Sequence, residues 1–95
     1  MTMDMLYHFP RTRFVDENTI GQQLIHTRRE GQEASDELPP PGGDIMPLAL
    51  EIMDIYHSAE TALRILEEKH GIDIQKLMFA VYEKNEKRGY YDAHN

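Results

Sequence analysis

Residues 30–54 read EGQEASDELPPPGGDIMPLALEIMD. Two acids three apart, Glu30 and Glu33, precede a proline–glycine break, and a second such pair, Glu51 and Asp54, follows it. Pro39 to Pro41 cannot continue a helix, because proline lacks the backbone N–H and its ring clashes with the preceding turn. The stretch therefore reads as the end of one helix, a sharp reversal and the start of another.

Working outward, TIGQ at 19–22 fits a capping box, with Thr19 as N-cap and Gln22 three residues on. Asp16 is a competing start. The first helix should run from there to about Leu38. After the break, Asp44 suits an N-cap, and Pro47 falls in the first turn, where its missing N–H costs nothing. The second helix should span about 44–69. Its apolar residues Ile45, Leu48, Ile52, Ile55, Ala59, Ala62, Leu63 and Leu66 recur at spacings of three and four. Gly71 should end it, with Lys69 and His70 at the negative end of the helix dipole. Asp73 caps a third helix over 74–88, with Ile74, Leu77, Met78, Val81 and Tyr82 on one face. Residues 1–18 form an N-terminal arm, extended or with a short helical turn. The helical domain covers 19–91, and 92–95 are a tail. No stretch alternates as a strand would, so the fold class is all-α: an antiparallel helical hairpin plus a third helix.

The chain has 95 residues, of which 40% are apolar. A domain of this size buries only roughly 60–65% of its unfolded surface, so self-association is expected to complete the core. There is no cysteine, hence no disulfide and no thiolate metal site, which suits a reducing cytoplasm. The opening MTMDMLYHFPRTR lacks a basic start followed by an apolar run, so no signal peptide is expected. No run of about 18 apolar residues occurs, so no membrane partner is expected. A net charge of −7 argues against binding a nucleic-acid backbone. It allows a phosphate ester, provided divalent cations sit between carboxylate and phosphate.

On a helix, positions i and i+3 are neighbours, with Cβ atoms about 5–6 Å apart. Glu30 and Glu33 therefore project together, as do Glu51 and Asp54, each pair at the edge of its helix's apolar stripe. Antiparallel packing about the PPPGG turn lets the four carboxylates converge. Like charges so placed raise one another's pKa, and bound Mg²⁺ or Mn²⁺ relieves them, since hard cations prefer carboxylate oxygen. Glu37, one turn beyond Glu33, is a fifth candidate. The plain alternative is a solvated acidic face, common in a chain that is 28% charged.

The order Glu-x-x-Glu, seventeen intervening residues, then Glu-x-x-Asp resembles the signature of the MazG-like all-α nucleoside triphosphate pyrophosphohydrolases. REGQEASDE and ALEIMDIYHSAETAL look like that family's two metal helices, and HGIDIQKLMFAVYEKNEKRGYY looks like its third. The likeness covers about residues 20–91. It implies a MazG-like bundle completed by homo-oligomerisation, as a homodimer or homotetramer. It implies that Glu30, Glu33, Glu51 and Asp54 bind Mg²⁺, and that Lys84, Asn85 and Arg88 face the triphosphate of a nucleoside triphosphate substrate. The implied reaction converts a (d)NTP to the (d)NMP and pyrophosphate. A carboxylate not fully used as a ligand, Glu33 or Glu30, could deprotonate the attacking water. The chain has Val81 where some relatives carry a lysine. A phosphoribosyl-ATP pyrophosphohydrolase shares the fold and carboxylates, and a catalytically silent helical binding module would keep the shape.

His26 and His57 flank the acids at helical spacing, either as partners of the site or as ordinary exposed histidines. Tyr7, His8, Phe9, Arg11 and Arg13 could form a lid over a base and phosphate, or pack on a neighbouring subunit. Met46, Met53 and Met78 read as core filler, and Tyr56 and Tyr82 as core aromatics with their hydroxyls at the rim.

Overall fold

Each helix begins and ends where local chemistry requires it. In a computed structural model, which describes residues 6–92, α1 spans Phe14–Glu17, α2 Ile20–Asp36, α3 Met46–His70 and α4 Ile74–Lys87. Among the described residues there is no strand. The expectations for residues 1–5 and 93–95 lie outside the described residues.

Both bonds of the capping box form: Gln22 N–H donates to Thr19 Oγ1 at 3.1 Å, and Thr19 N–H to Gln22 Oε1 at 2.9 Å. Asp73 caps α4 by accepting from the Lys76 amide at 3.1 Å. Gly71 ends α3 with φ +68, the left-handed conformation that glycine adopts without steric cost, and Ile72 N–H closes back on Leu66 O. One start differs. The N-cap of α3 is Ile45, and Asp44 instead accepts from Met46 N–H at 3.0 Å, one residue earlier than a standard cap. Its carboxylate satisfies an orphan amide either way.

The core is small and partly polar. Val15, Ala34, Ala62, Ile65 and Ile74 are buried, together with Gln23, Ser58, Glu60 and Thr61. α2 and α3 form the main helix contact, and α1 closes on α3, whose Lys69 donates to Asp16 O and Asn18 O at 3.2 and 2.9 Å. Their seam is hydrogen-bonded rather than greasy. Gln23 Nε2 donates to Ser58 O at 3.1 Å and to Ser58 Oγ at 2.9 Å, while its Oε1 accepts from Asn18 at 2.9 Å. Thr27 and Ser58 share a hydroxyl contact of 2.6 Å. Every polar atom of Gln23 that burial removes from water thus has a partner.

Several expected core positions prove otherwise. The buried line of α3 is Ser58, Thr61, Ala62 and Ile65, whereas Ile45 and Ile52 are exposed. α2 and the arm approach the small residues of HSAET at 57–61, which permit close contact, and leave the other apolar flank open. Met46, Met53 and Met78 are exposed and fill no core within the chain, and Tyr56 and Tyr82 are likewise exposed. α4 is anchored by Ile74, but Leu77, Met78, Phe79, Val81 and Tyr82 face solvent. The radius of gyration, 15.9 Å, exceeds the about 12 Å of a compact chain this long. α4 is the reason: it makes only marginal contact with the other helices.

Candidate metal centre

The arm sets the frame. His8 N–H donates to both Glu60 oxygens at 2.8 and 3.0 Å, Phe9 N–H donates to Oε1 at 2.9 Å, and the His8 ring lies at 3.0 Å. Tyr56 hydroxyl meets His8 Nδ1. Arg64 holds Phe9 O at 2.9 Å, Tyr7 hydroxyl reaches Glu67 at 2.9 Å, and Arg11 pairs with Glu68 and Asp16 at 2.8 and 2.7 Å. Residues 7–11 are therefore strapped along α3 of their own chain, and Arg11 is committed to carboxylates. Burial pushes the Glu60 carboxyl up, but the His8 and Phe9 amides, the His8 ring and Tyr56 outweigh it and hold it below the usual range.

With the arm in place, Phe9 stacks on His57 at 4.3 Å between ring centroids. Phe14 lies over His26 at 6.1 Å. Between them opens a pocket of about 90 Å³ bordered by Thr12, Phe14, Gln23, His26, His57, Ser58 and Thr61, with Glu30 and Asp54 at its edge. His57 Nε2 is buried there without a hydrogen-bond partner.

The hairpin brings Glu30 from α2 beside Glu51 and Asp54 from α3, with one oxygen of each lying within 4.8 Å of the others. Burial and then the Glu33 charge raise the Glu30 carboxyl, with Asp54 adding to the rise, while His26, 3.3 Å from Glu30, opposes it. Desolvation likewise raises Glu51, followed by the charges of Glu33, Asp54 and Glu30. Glu33 thus sits close enough to be felt by both, though outside the tight triad. Glu37 is exposed at the C-terminus of α2.

The donor set is all hard oxygen, which suits a hard divalent cation. Oxygens around an octahedral Mg²⁺ stand about 3–4 Å apart, given bonds of about 2.1 Å. A modest closure of these side chains would bring three ligands onto one ion. Lys84, Asn85 and Arg88 sit on the last turns of α4 and just past it.

Glu60, Gln23, Ser58 and Thr61 escaped the sequence reading. Their one signal was the run of small and polar residues at the centre of α3, which marks a close helix approach. Comparison of the chain with protein-family models, curated proteins and solved structures returned no match.

Proposed function

We propose that this chain is a Mg²⁺-dependent nucleoside triphosphate pyrophosphohydrolase of the MazG-like kind, assembled as a homo-oligomer. The observation that carries the reading is the triad of Glu30, Glu51 and Asp54, drawn from two helices into one small volume. Carboxylates so crowded favour a divalent cation, because without one their mutual repulsion must be borne or relieved by protonation. The ordered likeness of the acidic pairs, GIDI and KNEKRGYY to that family supplies the reaction class.

In this reading Glu30, Glu51 and Asp54 would hold the ion, which would neutralise phosphate charge and make a nearby water more acidic. Glu33, adjacent but outside the triad, accepts the proton as the water oxygen bonds to the α-phosphorus. The bond from that phosphorus to the α,β-bridging oxygen breaks, and pyrophosphate leaves. Lys84, Asn85 and Arg88 stabilise its charge. The pocket beside Glu30 and Asp54, walled by Phe14 and His26, marks the side from which the base would approach, and at about 90 Å³ it has to widen to admit one.

The test is pyrophosphate release from each common NTP and dNTP with Mg²⁺, with Glu51→Ala as control. Release that needs Mg²⁺ and falls at least about 100-fold in the variant supports the reading. No release from any of them, together with no thermal stabilisation by Mg²⁺ or Mn²⁺, overturns it.

A further inference from the structure

Among the described residues, one buried side-chain nitrogen has no partner: His57 Nε2. Around it the hydrogen atoms are already committed. Both amide hydrogens of Gln23 go to Ser58, one to its O and one to its Oγ. Thr27 Oγ1 donates to Gln23 O at 3.0 Å, so in the 2.6 Å contact between Thr27 and Ser58 the proton comes from Ser58. That circuit is closed and has no hydrogen left for a ligand. Thr12 and Thr61 share one bond at 3.2 Å, which uses one of their two protons. His26 Nε2 lies 3.3 Å from Glu30. His57 lines the same pocket as these groups, and its nitrogen is the one still to be satisfied.

Leaving such an atom buried and unpaired costs stability, yet the fold holds the ring firmly in place. Phe9 stacks on it at 4.3 Å with the planes 19° apart. Phe9 is itself fixed through both its backbone groups, with N–H donating to Glu60 and O accepting from Arg64. Residues 7–11 are thus a clamp on His57 rather than a flap over the site. Charge decides what can enter beside it. No Lys or Arg lines the pocket, and Glu30 and Asp54 stand at its edge, so an anionic group is repelled there and an uncharged one is not. Phe14, over His26, supplies a second aromatic wall. A flat, uncharged edge carrying a hydrogen-bonding atom meets all these conditions. A nucleobase has such an edge, and a phosphate does not.

We propose that His57 is the specificity-determining residue of this site: its Nε2 hydrogen-bonds to the edge of the substrate's base, and Phe9, held by Glu60, is the positioning residue that aims it. That the ligand is a nucleotide rests on the function proposed above. A buried polar group that finds its partner only in the correct substrate discriminates strongly, because any other base leaves it unpaired.

The chain has five histidines, and the imidazole signals of His57 in a nitrogen NMR spectrum are identified by their loss in His57→Phe. At fixed pH with Mg²⁺, the wild type is titrated with the α,β-methylene triphosphates of the common nucleosides, which cannot release pyrophosphate, and separately with inorganic tripolyphosphate. The expected result is a saturable shift of the His57 Nε2 resonance that differs from base to base and is absent with tripolyphosphate. No shift with any nucleotide overturns the proposal, as does a shift that tripolyphosphate reproduces or one that follows the sugar alone. This readout needs no turnover, so it stands if pyrophosphate release fails. Where release is found, His57→Phe should lower kcat/KM at least about 10-fold for the preferred base and less for the others. Phe9→Leu, which loosens the ring without removing it, should narrow the same preference. An equal fall for every base, or an unchanged preference, gives His57 a structural role and overturns the proposal while leaving the hydrolysis intact.

Discussion

Two carboxylates on α3, Glu51 and Glu60, about two and a half turns apart, have opposite fates. Glu60 is buried yet ringed by donors, and its carboxyl is held below the usual range. Glu51 is more exposed, and its carboxyl is raised by desolvation and then by the charges of Glu33, Asp54 and Glu30. Desolvation raises both carboxyls; the donors around Glu60 reverse that rise, and the like charges around Glu51 add to it. Glu60 is a structural acceptor whose demand the fold already meets. The acids around Glu51 have an unmet demand that a divalent cation fits.

The sharpest way to break this contrast is to remove Glu60. Glu60→Ala leaves the His8 and Phe9 amides without their acceptor and frees the strap, at an expected cost of about 2–4 kcal/mol. In thermal unfolding that is a fall of at least about 8 °C for a domain this small. Limited proteolysis should then cut within residues 7–13 at temperatures where the wild type resists. A Tm within a degree or two of wild type would mean the strap holds without it.

The second comparison is with Glu51→Gln. Without divalent ions its Tm should equal or exceed that of the wild type, because a repelled charge is gone. The rise in Tm expected for the wild type with Mg²⁺ should be absent from the variant. Glu60→Gln should keep that rise. If Glu51→Gln lowers the metal-free Tm as Glu60→Ala does, the two carboxylates are not different in kind.

A smaller effect is expected at His57, whose Nε2 is buried without a partner. His57→Phe keeps a ring against Phe9 while removing the orphan polar atom. Its Tm should match the wild type or rise, by up to about 1 kcal/mol in stability. A clear fall would show that the nitrogen is satisfied in solution, and would make His57 a working part of the pocket.

The smallest effect is in the pH profile. Glu60 has a lowered folded pKa, so its contribution is fully present above the ordinary glutamate value of about 4.3 and is lost as pH falls through the folded value. Glu30 and Glu51 have raised folded values, so their penalty is present at neutral pH and is relieved as pH falls toward about 4.3. Saturating Mg²⁺ should abolish the relief, and Glu60→Gln should flatten the acid limb. Chemical denaturation between pH 3 and 7, with and without Mg²⁺, separates the two.

What could be read early was whatever depends on neighbours along the chain. The Thr19–Gln22 box, the PPPGG stop, the Asp73 cap and the Gly71 terminus each involve groups within a few residues of one another. The pairing of Glu30 with Glu51 and Asp54 was nearly as accessible, because a short turn leaves two helices little choice but to run antiparallel. The Glu60 strap was not accessible, since His8 and Glu60 are 52 residues apart and nothing in either local sequence names the other. Nor was the open flank of α3: periodicity marks an apolar face but does not say which neighbour will cover it.

The sequence by itself therefore determined the three longer helices, their boundaries to within about two residues, and the acidic pairs, because hydrogen-bond capping and helical spacing act over one or two turns. Only the tertiary structure decided that Glu60 is an anchor, that α2 meets the polar centre of α3, and that α4 stands away with its apolar face and cations uncovered. Those outcomes depend on which surfaces of distant segments fit together, and the buried Ser58, Glu60 and Thr61 lie where α2 and the arm meet α3.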